Sequence, residues 1–318
     1  MGKEYFFEIS ESSLNNLSEL SLAGSKLCER RICEISESAD LAADFVKEML
    51  SEDIKPYEIL SLISDSYPEI EADIHNDLLK ENLERLAFNG RLQSVFDKLR
   101  FSELLVLHLK NKGVKFSEKD FLPEVFSNPT FAYVKNAFAD EAYDVFSQGF
   151  DDPRVRYAVN FKEALNLVGS GVVTYAILPL EEKGARIASV SEILFKYDLK
   201  INSVIPVFGF DGQADIKYAM VSKNYTVHKI ANEDDRYLEI RIPQSSTPDI
   251  TEILSAASGL GIKVYRVNTQ SINNDEFVSL YYSIVFCGEG VDYTALLVFL
   301  TLFVKDYSAA GLYKNLED

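Results

Sequence analysis

The chain has 318 residues, of which 47% are hydrophobic and 26% are charged, and its formal net charge is −18. This length and composition predict a globular protein of two or three domains with a sizeable core. The negative charge argues against nucleic acid and anionic membranes as partners, because both require basic patches. The most apolar run, at 295–304, is about half as long as a membrane span. The N-terminus has no signal-peptide core, so we expect a cytoplasmic protein.

Residues 1–126 are predicted to form an all-helical domain. Apolar residues recur at three- and four-residue intervals, as on one face of a helix. A short strand at 4–9 is an alternative start. The helices are predicted at 14–27, 30–50, 56–64, 92–99 and 101–109, with the same pattern continuing at 70–86.

After a linker at 117–129, residues 130–225 alternate between strand and helix patterns. Such alternation predicts an α/β lobe with a parallel-type sheet flanked by helices. The predicted strands are 131–134, 156–159, 172–178, 199–207 and 216–222, and the helices are 140–146, 161–170 and 188–197.

Residues 234–318 have the order β-α-β-β-α-β, which is the ferredoxin-like arrangement. The strands are predicted at 236–243, 262–272, 277–286 and around 312–313, and the second helix at 293–304. Thr247 is the predicted N-cap of the first helix, with Pro248 at its first helical position. At this C-terminal position the unit resembles an ACT domain, a module that binds an amino acid at a subunit interface. The resemblance implies a homodimer through this domain.

The chain shows no signature of a metal or cofactor site. Cys28, Cys33 and Cys287 lack metal-ligand spacing and are interpreted as reduced, buried thiols. The three histidines are isolated, and no P-loop, GxGxxG, HExxH or nucleophile-elbow motif occurs. Lys183 and Arg186 could form a small basic patch, although surface pairing with the preceding glutamates is the simpler interpretation.

The segment 175–184, Tyr-Ala-Ile-Leu-Pro-Leu-Glu-Glu-Lys-Gly, resembles the Val-Val-Pro-Ile-Glu-Asn-Ser pattern of the prephenate dehydratase family. Residues 136–142 stand where that family has Gly-Thr-Phe-Ser followed by a helix. The family's enzymes remove water and carbon dioxide from prephenate, on the way to phenylalanine. They have two periplasmic-binding-like lobes followed by an ACT domain. The resemblance implies one such lobe at 130–225 and an ACT domain at 234–318.

The departures from the family bear on catalysis. Ile216, Lys217 and Tyr218 occupy the positions of the family's Thr-Arg-Phe motif, whose threonine helps to expel water and whose arginine holds a carboxylate. Ile216 has no hydroxyl, and Lys217 lacks the guanidinium fork. Only residues 208–215 separate the last predicted strand of the lobe from this motif, where the family has a second lobe. A cleft between two lobes cannot form by this alignment.

The C-terminal unit also departs from the sequence signature of the family's ACT domain. Asn268-Thr269-Gln270-Ser271 aligns with the family's Glu-Ser-Arg-Pro, so phenylalanine binding does not carry over by residue identity. These polar residues either contact another ligand or satisfy the end of a strand. The candidate ligand-binding residues are Lys183, Lys217, Asn268, Thr269 and Gln270, and no catalytic residue is assigned.

Three functional hypotheses follow from these sequence features. The first is a non-catalytic relative of prephenate dehydratase that senses a small amino acid or aromatic carboxylate, or binds a partner, around phenylalanine biosynthesis. The second is an active prephenate dehydratase, with a chorismate mutase-like helical domain whose charged residues would lie at 29–31 and 80–85. The third is a structural interaction protein without a small ligand. We expect no cofactor in any of them.

Overall fold

A computed structural model describes residues 11–51, 54–55, 58–60, 92, 94–122, 129–148, 150–208, 216–225, 235–246, 248–274, 277–304 and 306–315. It is a mixed α/β structure with a helical N-terminal region and one large mixed sheet. The predicted strand at 4–9, the helical pattern at 70–86, and His75 and His228 lie outside the described residues.

From residue 130 onward the described elements follow the predicted order, apart from one added short strand at Ala185–Arg186. The helices are α1 (Glu11–Leu50), α2 (Val95–Asn111), α3 (Ala137–Phe146), α4 (Phe161–Gly169), α5 (Ala188–Lys196), α6 (Ile250–Gly259) and α7 (Thr294–Phe303), with a 3-10 turn at Glu118–Asp120. The strands are β1 (Thr130–Tyr133), β2 (Arg154–Tyr157), β3 (Tyr175–Glu182), β4 (Ala185–Arg186), β5 (Lys200–Val207), β6 (Ile216–Ser222), β7 (Asp235–Pro243), β8 (Lys263–Asn274), β9 (Phe277–Glu289) and β10 (Ser308–Asn315).

The helical region has fewer breaks than predicted. The helices expected at 14–27 and 30–50 are one helix, α1, because no strong breaker separates them. Those expected at 92–99 and 101–109 are likewise one helix, α2, which begins at a capping box made by Ser94 and Asp97. The second half of α1 packs into the core, whereas residues 21–30 are exposed throughout.

Two local predictions were wrong. Cys28 and Cys33 are exposed on α1, and Cys287 is half-buried, so the thiols are free but not buried. Helix α6 begins later than predicted, with Asp249 as its N-cap rather than Thr247. The Asp249 side chain accepts from the amide of Glu252, whose carboxylate accepts in return from the Asp249 amide. This reciprocal pair satisfies two amides that a cap at Thr247 would have left open.

One sheet runs through both predicted C-terminal units. Its order is β2-β1-β3-β6-β5-β10-β7-β9-β8, with β4 added beside β3. The last four strands are antiparallel neighbours in the ferredoxin-like order, and β10 joins them to the α/β part by pairing in parallel with β5. Gly311 permits this junction, because a Cβ there would lie 2.3 Å from the carbonyl oxygen of Ile201. The domain boundaries 1–126, 130–225 and 234–318 stay predictions.

The sheet curls strongly. Six strand spacings separate β3 from β8, which is about 29 Å across a flat sheet. Nevertheless Arg266 Nη1 on β8 lies 2.6 Å from Glu181 Oε1 on β3. Helix α5 fills the concave side: its Leu194 packs against the α/β strands, and its Phe195 ring lies 4.3 Å from that of Tyr281 on β9. The curl therefore covers a face of the ferredoxin-like strands that would otherwise face water.

The convex side of the ferredoxin-like strands carries α6 and α7, and the helical region packs on these. Helix α7 is apolar around its circumference, which is typical of a helix buried on all sides. Its Val298 and Leu302 join the core of α1 and α2, while its Leu297 joins the core against the sheet. In the part of the chain that is described, no helix has both the length and the hydrophobicity to cross a membrane.

Candidate functional site

The positions that correspond to the family's catalytic motifs meet at one edge of the sheet. Strands β1 and β3 end there, and β6 begins there with Ile216, Lys217 and Tyr218. The Tyr218 hydroxyl lies 3.5 Å from Asn136 Oδ1, which also accepts from the Ala139 amide at the start of α3. Burial raises the pKa of Tyr218, so its hydroxyl stays neutral at physiological pH. The two motif positions therefore lie side by side at this edge, where the side chains in contact are the amide of Asn136 and the phenol of Tyr218.

The described residues of this edge, where the alignment leaves out a second lobe, include large exposed side chains. Val207 pairs directly with Ile216, so residues 208–215 form the whole connection between β5 and β6. Tyr157 and Phe208, at the ends of two strands of this edge, are 53% and 52% exposed. The short spacing seen in the sequence therefore corresponds to a direct hairpin between neighbouring strands.

The two predicted lysines lie in different settings. Lys217 is half-buried and stands beside Glu181 of β3 in the strand register. Lys183 is exposed at the tip of the β3–β4 hairpin, where it and Gly184 have φ angles of 49° and 76°. Two successive positive φ angles are what a two-residue type I′ turn requires. Lys183 thus turns the chain back, and its role as a ligand contact stays a prediction.

The other three predicted residues alternate across β8. Asn268 and Gln270 stand opposite Ser283 and Tyr281 and so point to the concave face, whereas Thr269, opposite Tyr282, points to the face that carries α6 and α7. The Asn268 Nδ2 atom is shielded from solvent and has no hydrogen-bond partner among the described residues. An amide donor without an acceptor at such a position is unusual and suggests a missing partner.

A buried set of charged side chains, which we call the inner cluster, lies on the concave face between the two parts of the sheet. It comprises Glu181, Arg186, Glu239, Arg241, Arg266 and Tyr313. Arg186 Nη2 lies 2.5 Å from Glu239 Oε2, which also accepts from the Tyr313 hydroxyl at 3.0 Å. The second oxygen of Glu239 accepts from the Ser283 hydroxyl at 2.9 Å. Glu239 is therefore held by three donors from three strands.

Glu181 forms the other carboxylate of the inner cluster. Its Oε1 atom lies 3.2 Å from Arg186 Nε and 2.6 Å from Arg266 Nη1, so one oxygen serves two guanidinium groups. The Arg186 Nε–H makes no well-directed hydrogen bond despite that short distance. The type I′ turn at Lys183 produces this pairing, because it places Arg186 directly across from Glu181.

Burial and charge act in opposite directions on Glu239. Burial by itself would raise the pKa of its carboxyl group, but the attraction of Arg186 and Arg241 outweighs burial and lowers the pKa below its usual value of 4.5. Burial raises the pKa of Tyr313 well above its usual value, and the Glu239 charge adds to that shift. Glu239 is accordingly ionised and Tyr313 neutral at physiological pH.

The sequence pattern did not reveal the inner cluster. Apolar and polar residues alternate in β7, which is typical of a half-buried strand and would leave Glu239 and Arg241 facing solvent. Pairing of Arg186 with Glu181 was anticipated at the surface, and it is found in the interior instead. Two opposite charges on one strand face are a weak signal, since alternation alone cannot distinguish solvent from a second packed layer.

No protein-family model matches this chain. No curated protein shows a significant match either. Among solved structures it is similar to a prephenate dehydratase from Streptococcus mutans, with 16% identity and a TM-score of 0.45 over 58% of this chain and 97% of that one.

Two further solved structures show a similar likeness. A prephenate dehydratase from Arthrobacter aurescens in complex with L-Phe has 14% identity and a TM-score of 0.44, over 58% of this chain and 90% of that one. A quorum-quenching acylase, GqqA, has 16% identity and a TM-score of 0.43, over 58% and 94%. With TM-scores below 0.5, these likenesses decide neither the activity nor the ligand of this chain.

Proposed function

We propose that this chain is a non-catalytic relative of prephenate dehydratase that binds a small amino acid or aromatic carboxylate and serves in sensing or partner binding around aromatic amino acid synthesis. The observation that carries the proposal is the direct pairing of Val207 with Ile216. It leaves the motif-bearing edge without an inserted lobe. Expulsion of water and carbon dioxide from prephenate needs positioned groups in a cleft from which solvent is excluded.

The side chains at that edge support the same proposal. Ile216 has no hydroxyl to protonate a leaving group, and Lys217 cannot hold a carboxylate in the bidentate manner of arginine. The family's hydroxyl-bearing positions at the start of α3 are Ala137 and Ala139. Tyr218 is engaged with Asn136 and buried.

The ferredoxin-like unit is the proposed ligand-binding and assembly unit, and we assign it as an ACT domain at 234–318. Its strand β8 lies at the end of the sheet and offers 12 residues of unpaired edge among the described strands. Val264 and Val267 on this strand are 40% and 39% exposed. A long edge strand with exposed apolar side chains favours pairing with another chain, here a second copy.

The test combines an activity assay with a binding screen. Purified protein is incubated with prephenate, and phenylpyruvate is followed by its absorbance, with an active prephenate dehydratase as the positive control. We expect no formation above the uncatalysed background, and turnover at an enzymatic rate would refute the proposal. A thermal-shift screen, beginning with L-phenylalanine and L-tyrosine, should give at least one stabilising ligand. A screen in which nothing shifts the melting temperature would favour a structural interaction protein instead.

A further inference from the structure

The inner cluster carries more positive than negative charge. Arg186, Arg241 and Arg266 face only two carboxylates, those of Glu181 and Glu239, among the described members of the cluster. Arg186 and both glutamates are nearly inaccessible to water, with side chains less than 10% exposed. A buried charge without a counter-charge is costly, so an excess of one guanidinium calls for an explanation.

The direct contacts of Arg241 in the described structure are not with a carboxylate. Its guanidinium lies 3.4 Å from the Leu194 carbonyl oxygen in the last turn of α5 and faces the Phe195 ring at 5.7 Å. The carboxylate of Asp198 also attracts Arg241, but it is exposed and pairs with Lys200 at 2.8 Å. Arg241 therefore stabilises the C-terminus of α5, and its charge acts on buried Glu239 at a distance rather than through a direct ion pair.

The accessible end of the cluster lies at the seam between the β3–β4 hairpin and strand β8. Arg266 is the most exposed arginine of the cluster, at 19% of its side chain, and it shares its carboxylate oxygen with Arg186. Asn268, two residues further along the same face of β8, has the unused Nδ2 donor. Arginine and amide donors at neighbouring positions of one strand face can hold the two oxygens of a single carboxylate.

An aromatic surface adjoins these donors. A β-bulge between Val264 and Arg266 turns Tyr265 out of the regular alternation. Tyr265 is 46% exposed as a residue. Its ring lies edge-to-face with that of Tyr237 at 5.1 Å, and the Arg266 guanidinium lies 5.3 Å from the ring centroid. From residue 265 to residue 268 the strand covers about 10 Å, a length that a phenyl ring with a short carboxylate chain spans.

We propose that this seam is a binding site for an aromatic carboxylate, whose carboxylate is held by Arg266 and Asn268 and whose ring packs against Tyr265 and Tyr237. The bound anion brings the cluster to three carboxylates for three guanidiniums and leaves Glu181 to Arg186. The site lies within one chain and does not require a second copy. The inference rests on the proposed ligand-binding function and specifies where and how the ligand is held.

The experiment is isothermal titration of the full chain with four probes at fixed pH. L-phenylalanine and 3-phenylpropionate carry both a ring and a carboxylate, L-phenylalaninamide lacks the carboxylate, and acetate lacks the ring. We expect at least one of the first two to bind, and both incomplete probes to bind at least about tenfold more weakly, because each loses one half of the recognition.

Two variants locate the binding. Asn268→Leu removes a donor that makes no hydrogen bond in the free chain, so it should leave the fold intact and weaken binding several-fold. Arg266→Gln should weaken binding at least about tenfold, since a charged hydrogen bond is lost. Arg154→Gln, on the exposed strand β2, is the matched control and should leave affinity unchanged.

The outcomes separate this inference from the proposed function. Binding that survives both Asn268→Leu and Arg266→Gln overturns the seam site while ligand binding by the chain stands. Failure of both ring-bearing carboxylates to bind the unchanged chain at millimolar concentration overturns the seam site, while other amino acids in the thermal-shift screen still test the proposed function. Turnover of prephenate would refute the non-catalytic function but would not by itself contradict a binding site at the seam.

Discussion

Replacing Glu239 by glutamine tests the physical basis of the inner cluster. The substitution keeps the shape of the side chain and an oxygen that can accept from Ser283, but it removes the negative charge 2.5 Å from Arg186. The remaining carboxylate of the inner cluster beside Arg186 is then Glu181, whose oxygen Arg186 shares with Arg266. The variant therefore contains a buried guanidinium without sufficient counter-charge.

The expected cost follows from the burial of the pair. Breaking a buried ion pair on one side typically costs about 3–5 kcal/mol, because the remaining charge stays desolvated. For a cooperative chain of this length, with an unfolding entropy of about 2 cal/mol/K per residue, that loss lowers the melting temperature by roughly 4–8 °C. Asp152→Asn, which changes an exposed pair with Arg154 at 3.8 Å, should leave the melting temperature unchanged and is the control.

The direction of the Glu239 pKa shift determines how the effect of Glu239→Gln on stability depends on pH. The folded-state pKa of Glu239 lies below its usual value of 4.5, so its contribution to stability is present above that pH and is lost as pH falls through the folded-state pKa. The difference in melting temperature between wild type and Glu239→Gln should therefore be largest near neutral pH and shrink in acid. Calorimetry from pH 3 to pH 8 measures it, and a difference that is small at pH 7 or grows in acid would refute this account of the cluster.

Three further predictions concern other parts of the chain. Gly311→Ala should lower the free energy of unfolding by about 1–3 kcal/mol, because the new Cβ meets the rigid Ile201 carbonyl. The control Gly24→Ala, in open space on α1, should be neutral or stabilising. Equal effects of the two substitutions in denaturant titrations would contradict the tight junction. Burial raises the pKa of Glu118, so the contribution of its protonated form to stability is lost as pH rises from 4.5 through the folded-state pKa. Glu118→Gln should therefore make the free energy of unfolding depend less on pH above 4.5. An unchanged pH dependence would disprove this role of Glu118. Val267→Lys on the β8 edge should convert the proposed dimer to a monomer in light scattering, and a dimer that persists would exclude this edge as the interface.

Glu118 shows how the helical region is attached. Its two carboxylate oxygens accept from the Tyr293 amide at 2.8 Å and pair with Arg236 Nη1 at 2.6 Å. The Tyr293 hydroxyl in turn donates to the Arg236 carbonyl at 2.7 Å. A residue of the predicted linker thus caps the approach to α7 and ties the helical region to the ferredoxin-like strands.

The continuous sheet has a consequence for ligand sensing. In the described structure β10 pairs on one side with β5 and on the other with β7, and the inner cluster connects β3, β4 and β8 across the concave side. A ligand held at β8 would therefore act on the α/β part through shared strands and buried charges.

The sequence predicted the order of the elements well where their patterns are local. β6 was predicted at 216–222 and is Ile216–Ser222, because its apolar run is short and bounded by turn residues. The apolar circumference of α7 was also visible, although not the second layer that covers it. The breaks in the helical region were predicted wrongly, since propensity alone does not fix where a long helix divides.

What the sequence determined by itself is therefore the set of elements, their ferredoxin-like order, and the eight-residue connection that leaves no room for a second lobe. The curl of the sheet, the burial of Glu239 and Arg241, and the unused amide of Asn268 were decided only by tertiary structure. Alternation specifies that two faces differ but not what packs on each, and contacts between β3 and β8 join residues 85 positions apart. These residues meet because the sheet curls around α5. No local pattern in the sequence of either strand indicates that packing.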